Sequence, residues 1–164
     1  MEMLNQIFGT IISQRTPDAV AWIQGNEQNP HLSGELCFYR SVGHGILVTA
    51  ELFGLPDQEN QTGFYGMHIH EFGDCRDNFM KTGSHYNPHN TMHPMHAGDM
   101  PPLLSNHGYA WMAFFDHRLS IREILGRSVV IHQQRDDFTT QPSGDSGEKI
   151  GCGVIREGHL PVPI

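Results

Sequence analysis

The chain has 164 residues and a formal net charge of −8, from 18 Asp and Glu against 10 Lys and Arg. That length suits a single domain with a core of its own, and the lack of any basic run argues against non-specific binding to nucleic acid. No stretch approaches the roughly 18 continuous apolar residues that a membrane span requires. Eighteen glycines and ten prolines, with 17% charged residues, favour an all-β domain rich in loops.

We expect residues 1–18 to form an N-terminal extension that precedes the domain, and the sequence does not define its structure. It contains apolar residues such as Ile7, Phe8 and Ile11, but it has neither the basic region nor the small-residue cleavage site of a signal peptide. We therefore expect a cytoplasmic protein, or a periplasmic or extracellular one if a leader has been removed.

From residue 19 onward, short strand-like segments, some alternating and some apolar throughout, are separated by turn-rich polar connections. In segment 46–53, for example, Ile46, Val48 and Ala50 fall on one face of the predicted strand. The predicted strands are 19–25, 32–40, 46–53, 64–71, 107–115, 128–132 and 150–156, while 119–125 predicts either a short helix or a bend.

Two polar stretches, 72–105 and 133–148, interrupt this series. A loop as long as the first is unusual unless it is functional or held by something other than a core. Seven or eight short strands with two long loops indicate an all-β fold, a Greek-key antiparallel β-sandwich or flattened barrel. We assign this domain to residues 19–157 and a C-terminal tail to 158–164.

Histidine is the unusual component, with twelve in the chain. Six fall within 29 residues, namely His68, His70, His85, His89, His93 and His96. His68 and His70 alternate on one predicted strand, so they point to the same face about 7 Å apart. A single H-x-H pair is more often a surface or packing feature than a metal site. His132 ends another apolar strand and, with this pair, would give copper three imidazole ligands.

The long loop carries a compact set of donors. His93, His96 and Asp99 form H-x-x-H-x-x-D, and His85 would bring the number of ligands to four, as in a closed structural zinc site. A metal there would explain how a loop poor in apolar residues becomes ordered. The alternative is a solvated polar loop that happens to be rich in histidine.

Five segments, taken in order, resemble the copper–zinc superoxide dismutase family in the form seen in bacterial members. Residues 66–75 (GMHIHEFGDC) resemble its copper-binding signature, and residues 83–88 (GSHYNP) resemble its bridging-histidine motif. Residues 96–101 (HAGDMP) are similar to its zinc-loop motif. Residues 126–132 (GRSVVIH), followed by Asp136 and Asp137, resemble the family's last copper-ligand segment. Residues 151–155 (GCGVI) resemble its closing strand.

This resemblance implies an enzyme that disproportionates superoxide, with one copper and one zinc ion per chain. The implied copper ligands are His68, His70, His85 and His132. The implied zinc ligands are His85, which would bridge the two metals, with His93, His96 and Asp99. The resemblance also leaves room for a homodimer.

Four further residues take roles from the same resemblance. Asp136 matches the carboxylate that links a copper histidine to a zinc histidine, here His68 and His93. Cys75 and Cys152 match the family's intrachain disulfide. The family places an arginine that orients the anion three residues before the closing-strand cysteine, and here that position is Lys149. Lysine keeps the charge but lacks the planar fork of arginine, so we expect activity that persists at a reduced level.

Three alternatives remain at this point. The chain could be a non-enzymatic copper-binding module on the same fold, although a carrier has no need of a bridged second metal. It could be a zinc hydrolase, although no motif offers a general base beside an open zinc position. It could also be a catalytically silent relative, which the lysine at position 149 keeps open.

Overall fold

The computed structural model describes residues 16–41, 45–56 and 63–158. The strands are β1 (Ala19–Gly25), β2 (Ser33–Arg40), β3 (Ile46–Phe53), β4 (Phe64–Tyr65), β5 (Met67–His70), β6 (Leu103–Leu104), β7 (Ala110–Asp116), β8 (Ser128–His132) and β9 (Lys149–Glu157). Helical structure in these ranges amounts to a 3₁₀ turn (Met80–Thr82) and the one-turn helix α1 (Ile121–Ile124). The all-β prediction is therefore confirmed. Most of the predicted extension 1–18 and tail 158–164 lies outside the described residues.

Seven strands form one antiparallel sheet in the order β5-β8-β9-β1-β2-β3-β7, and β4 pairs with β6 in a small second sheet. Strands adjacent in space, such as β3 and β7, are distant in sequence, so long connections cross the ends of the fold. Among the described helices, none is long and apolar enough to cross a membrane.

Two predicted elements differ in detail from the structure. The predicted strand 64–71 divides at Gly66, whose backbone N–H donates to Gln134 O instead of continuing one ladder. Its first part pairs with β6 and its second part with β8. The strand predicted from residue 107 begins only at Ala110, because His107 and Gly108 form a turn with positive φ angles of 52° and 82°. The ambiguous segment 119–125 contains α1.

The main core lies on the inner face of the sheet. In β3 the inward residues alternate with half-exposed ones, as the sequence pattern predicts. In β5 and β8 every residue is buried, although only Met67, Ile69, Val129 and Ile131 belong to the main core. The outward residues, which include His68 and His70, are therefore buried by the two long loops. This arrangement places the histidines between sheet and loop.

The predicted disulfide between Cys75 and Cys152 is present. It joins the beginning of the first long loop to β9. Cys37 is a free, buried thiol on β2, and burial raises its pKa to about 11.

Removing this disulfide should reduce the stability of the fold. In a Cys37→Ala background, Cys75→Ala with Cys152→Ala removes a cross-link across 77 residues, for which chain entropy gives an upper value of about 4.5 kcal/mol. Urea unfolding, followed by tryptophan fluorescence, should show a loss of up to this size relative to Cys37→Ala alone. Reducing the disulfide with dithiothreitol in the Cys37→Ala protein separates loss of the cross-link from loss of the sulfur atoms. Unchanged unfolding after reduction would contradict the prediction.

Candidate metal centre

Four histidines from three parts of the chain meet on the outer face of the sheet, beside β5 and β8. His68 and His70 lie on β5, His132 ends β8, and His85 reaches them from the first long loop, where it forms a bridge with His70. Each offers one ring nitrogen to a common point, and these four atoms lie within 4.8 Å of one another. The closest ring pair, His68 and His85, has centroids 3.9 Å apart. The sequence-predicted copper residues are thus brought together.

A second group lies beside the first and shares His85. It consists of His85, His93, His96 and Asp99, all buried, again with ligand atoms within 4.8 Å of one another. Asp99 lies at the centre of the group. Its Oδ1 is 2.7 Å from His85 Nδ1, and its Oδ2 is 3.1 Å from His93 Nδ1 and 3.3 Å from His96 Nδ1. The sequence-predicted zinc residues therefore also converge.

Hydrogen bonds on the far side of each ring fix which nitrogen points inward. His70 Nδ1 lies 2.9 Å from Gly83 O, and His132 Nδ1 lies 3.2 Å from Gly147 O. Because a carbonyl oxygen can only accept, each Nδ1 carries the proton and leaves the Nε2 lone pair free. The two Nε2 atoms are 3.2 Å apart. Rings held in this way are oriented for metal ligation.

Asp136 performs the same task for one ring of each group. Its Oδ2 is 2.8 Å from His68 Nε2, and its Oδ1 is 2.8 Å from His93 Nε2. Gly144 covers this carboxylate with φ +69°, and a Cβ there would come within 2.0 Å of Asp136 Oδ1. The position therefore requires glycine on two grounds, its positive φ and the close approach of the carboxylate.

Four inward ring nitrogens are buried without forming a hydrogen bond: His68 Nδ1, His85 Nε2, His93 Nδ1 and His96 Nδ1. Asp99 Oδ2 lies close to the last two but does not form a hydrogen bond with either. Buried polar atoms without partners are rare in folded proteins. A metal ion in each group would supply the missing partners. Four imidazoles suit copper, and three imidazoles with a carboxylate in a closed site suit zinc, so the residues present fit both ions.

The protonation states agree with metal binding. Burial lowers the pKa of His68, His70 and His96, and it lowers the pKa of His132 to about 3. These rings are therefore neutral at pH 7, which is the state that ligates a metal. Burial alone would raise the pKa of Asp99 and Asp136, but hydrogen bonds from His85 and His68 respectively help to hold both values below the usual range. Both carboxylates are ionised.

Lys149 lines an open pocket together with His70, His85 and His132. Its Nζ donates to Thr82 Oγ1 at 2.8 Å, to Gly83 O at 3.1 Å and to Phe79 O at 3.4 Å. Burial lowers the pKa of this ammonium group. After burial and the neighbouring histidines, its charge also contributes to the lowered pKa values of His70 and His132. The structure thus places Lys149 beside the first histidine group.

Two residues that contact the second group were not predicted from the sequence. Gln141 makes a two-way contact with the backbone of His93, donating from Nε2 to His93 O at 2.7 Å and accepting from His93 N at 3.0 Å. Arg118 contacts the backbone of His96 and Asp99. Neither residue stands in a metal-ligand motif, so the sequence offered no signal for them. His89 and His107 belong to neither group.

Comparison with known proteins shows which family of proteins this chain is similar to. The family profile described as copper/zinc superoxide dismutase (SODC) matches residues 32–155. A Cu-Zn superoxide dismutase 3 of Arabidopsis thaliana is 33% identical over 153 residues, covering 84% of this chain and 88% of its own length. A Cu-Zn superoxide dismutase of Legionella pneumophila is 30% identical, covering 92% and 96% respectively. The crystal structure of the clock protein EA4 is similar in fold, with a TM-score of 0.74, 28% identity and coverage of 87% of this chain and 96% of that one.

Asp136→Asn should weaken metal binding at the second group. The amide keeps one acceptor oxygen but turns an NH₂ group towards a ring N–H, so one of His68 and His93 loses its partner. Changes of this kind typically cost about 10–100-fold in metal affinity. Zinc competition with a chromophoric chelator measures the effect, and Asp145→Asn, an exposed aspartate in the same loop, is the control. Equal affinities for Asp136→Asn and Asp145→Asn would refute the orienting role.

Proposed function

The chain belongs to the copper/zinc superoxide dismutase family, and from this membership we propose how its own residues perform the disproportionation of superoxide. The enzyme converts two superoxide ions and two protons into oxygen and hydrogen peroxide, with one copper and one zinc ion per chain. The observation that carries the proposal is the position of His85, which belongs to both ligand groups, with Nδ1 beside Asp99 and Nε2 buried without a partner.

We assign copper to His68, His70, His85 and His132, and zinc to His85, His93, His96 and Asp99. When bound, copper supplies one-electron redox chemistry, while zinc, which has none, contributes fixed geometry and charge. The inward orphaned nitrogens support this division, because the copper group contains His68 Nδ1 and His85 Nε2, and the zinc group His93 Nδ1 and His96 Nδ1.

His85 is the residue suited to handling a proton. Its Nδ1 is held on the zinc side, 2.7 Å from Asp99 Oδ1, and we assign its buried, unpartnered Nε2 to the copper group. A ring anchored through one nitrogen can release its other nitrogen without leaving its place. His85 therefore takes up a proton at Nε2 in one half of the cycle and gives it to the peroxide product in the other.

Lys149 is proposed as the residue that attracts the anionic substrate. The chain as a whole carries a charge of −8 and repels anions at long range, so capture needs a local positive charge at the pocket. The ammonium of Lys149 supplies it. Its Nζ lies 2.8–3.4 Å from three oxygens of residues 79–83, which engage its donors, so we propose that it attracts superoxide by charge and not through an aligned hydrogen bond. Arginine, with five donors in a planar fork, could keep backbone contacts and still donate to the anion.

Metal analysis combined with a superoxide disproportionation assay tests the proposed function. We expect one copper and one zinc per chain and turnover that His85→Ala abolishes. Bound copper without turnover would instead support the copper-carrier or silent-relative alternative. Light scattering of the same samples tests assembly as a homodimer, which belongs to this proposal as an expectation.

Lys149→Arg should raise kcat/KM several-fold, because the fork restores donors directed at the anion. Lys149→Met should lower kcat/KM and weaken its decline with ionic strength, since the charge that salt screens is gone. Lys81→Met, which removes an exposed lysine paired with Asp77, is the control for net charge. Equal or lower activity in Lys149→Arg would contradict the first expectation, and salt dependence equal to wild type in Lys149→Met would contradict the second.

A further inference from the structure

Arg118 is a half-buried cation on the zinc side that neither the metal assignment nor the proposed catalytic steps use. It lies between β7 and α1, and its side chain is 32% exposed. Its neighbours come from two separate parts of the chain, the end of the sheet and the first long loop.

On the sheet side, Arg118 is fixed by Asp116, the last residue of β7. Arg118 Nε donates to Asp116 Oδ1 at 3.2 Å, and Nη2 donates to Oδ2 at 2.7 Å. The backbone N–H of Arg118 also donates to Oδ1 at 2.7 Å. Asp116 is buried, and β7 pairs it with Ile46 of β3. The guanidinium is therefore oriented from the rigid sheet by a two-point ion pair, the strong geometry for arginine and carboxylate.

On the loop side, the same guanidinium contacts two residues of the zinc group through their backbone. Nη1 donates to His96 O at 3.0 Å, and Nη2 donates to Asp99 O at 2.6 Å. His96 and Asp99 are the ends of one tight turn, in which Asp99 N donates to His96 O at 3.1 Å and His96 N donates to Asp99 Oδ2 at 3.0 Å. Arg118 thus holds the turn that carries two of the four zinc-directed side chains.

Backbone hydrogen bonds hold this turn on its other side, where Ile69 N of β5 donates to Gly98 O at 2.8 Å and Gly98 N donates to Tyr86 O at 2.9 Å. The residues before the turn, such as Met92 and Met95, are exposed, and the packing of the turn itself comes from Ala97 and the adjacent Met100 in the main core. In the same region Gln141 holds the backbone of His93. Arg118 adds a link from this turn to Asp116 at the end of β7.

We infer that Arg118 is a positioning residue for the zinc half of the centre, which sets the spacing of His96 and Asp99 by joining their carbonyls to Asp116. The inference rests on the proposed assignment of zinc to this group. Lysine cannot replace it fully, because one ammonium cannot span two carbonyls and both oxygens of a carboxylate.

Cobalt(II) titration of the metal-free protein tests this role, since cobalt gives visible absorption bands that report the geometry of a zinc-type site. Arg118→Ala should bind cobalt and zinc about 10–100-fold more weakly, the usual effect of losing an outer partner of a metal ligand, with altered bands. Arg118→Lys should recover part of the affinity and remains available if the alanine variant does not fold. Arg122→Ala, an exposed arginine four residues away, should match wild type.

The outcomes separate the inference from the assignment on which it rests. Wild-type protein that binds no cobalt at this group would overturn the zinc assignment itself. Wild-type binding together with unchanged bands and affinity in Arg118→Ala would overturn only the positioning role. A lower Tm with unchanged cobalt bands would make Arg118 a fold-stabilising residue and would likewise overturn the inference.

Discussion

Buried imidazole nitrogens set the main constraint on this fold. His68, His85, His93 and His96 each bury one ring nitrogen that no protein group satisfies, and such atoms carry a desolvation cost unless a partner is supplied. The two long loops bury these nitrogens by covering the outer face of β5 and β8. Order in the loops and occupancy by metal are therefore coupled, since the loop that packs Tyr86, Ala97 and Met100 into the main core also carries three of these rings.

The two ligand groups are joined more than once, so that neither can be treated as a separate site. His85 belongs to both groups, and Asp136 holds one ring from each at 2.8 Å. A displacement of His93 would be felt at His68 through the shared carboxylate. Because Asp136 lies on the second long loop and His93 on the first, the same contact also fastens the loops to each other. The geometry of the metal ligands and the packing of the two loops therefore depend on each other in this protein.

The sequence predicted the ligands and most strands because both depend on local patterns. Alternation placed β3 at its observed bounds, and short strand-like segments bounded by polar connections placed β1 and β8. The histidine motifs carry spacings that survive folding. Arg118 and Gln141 were missed because they act on backbone carbonyls and amides, which leave no trace in residue identity. The division of segment 64–71 was missed for a related reason, since it depends on where Gly66 meets Gln134 in the folded chain.

Strand β9 contributes its first residue, Lys149, to the lining of the pocket that also contains His70, His85 and His132. Cys152 ties β9 to Cys75 at the beginning of the first loop, and Lys149, three residues earlier, ties it to Phe79, Thr82 and Gly83. Gly83 O in turn accepts the hydrogen bond that orients His70. In the proposed function the lysine therefore has two roles: its charge attracts the anionic substrate, and its ammonium contacts the carbonyl that orients His70. An ammonium group has three donors, and this structure directs all three at the protein, which favours a well-held site over direct hydrogen bonding to the substrate.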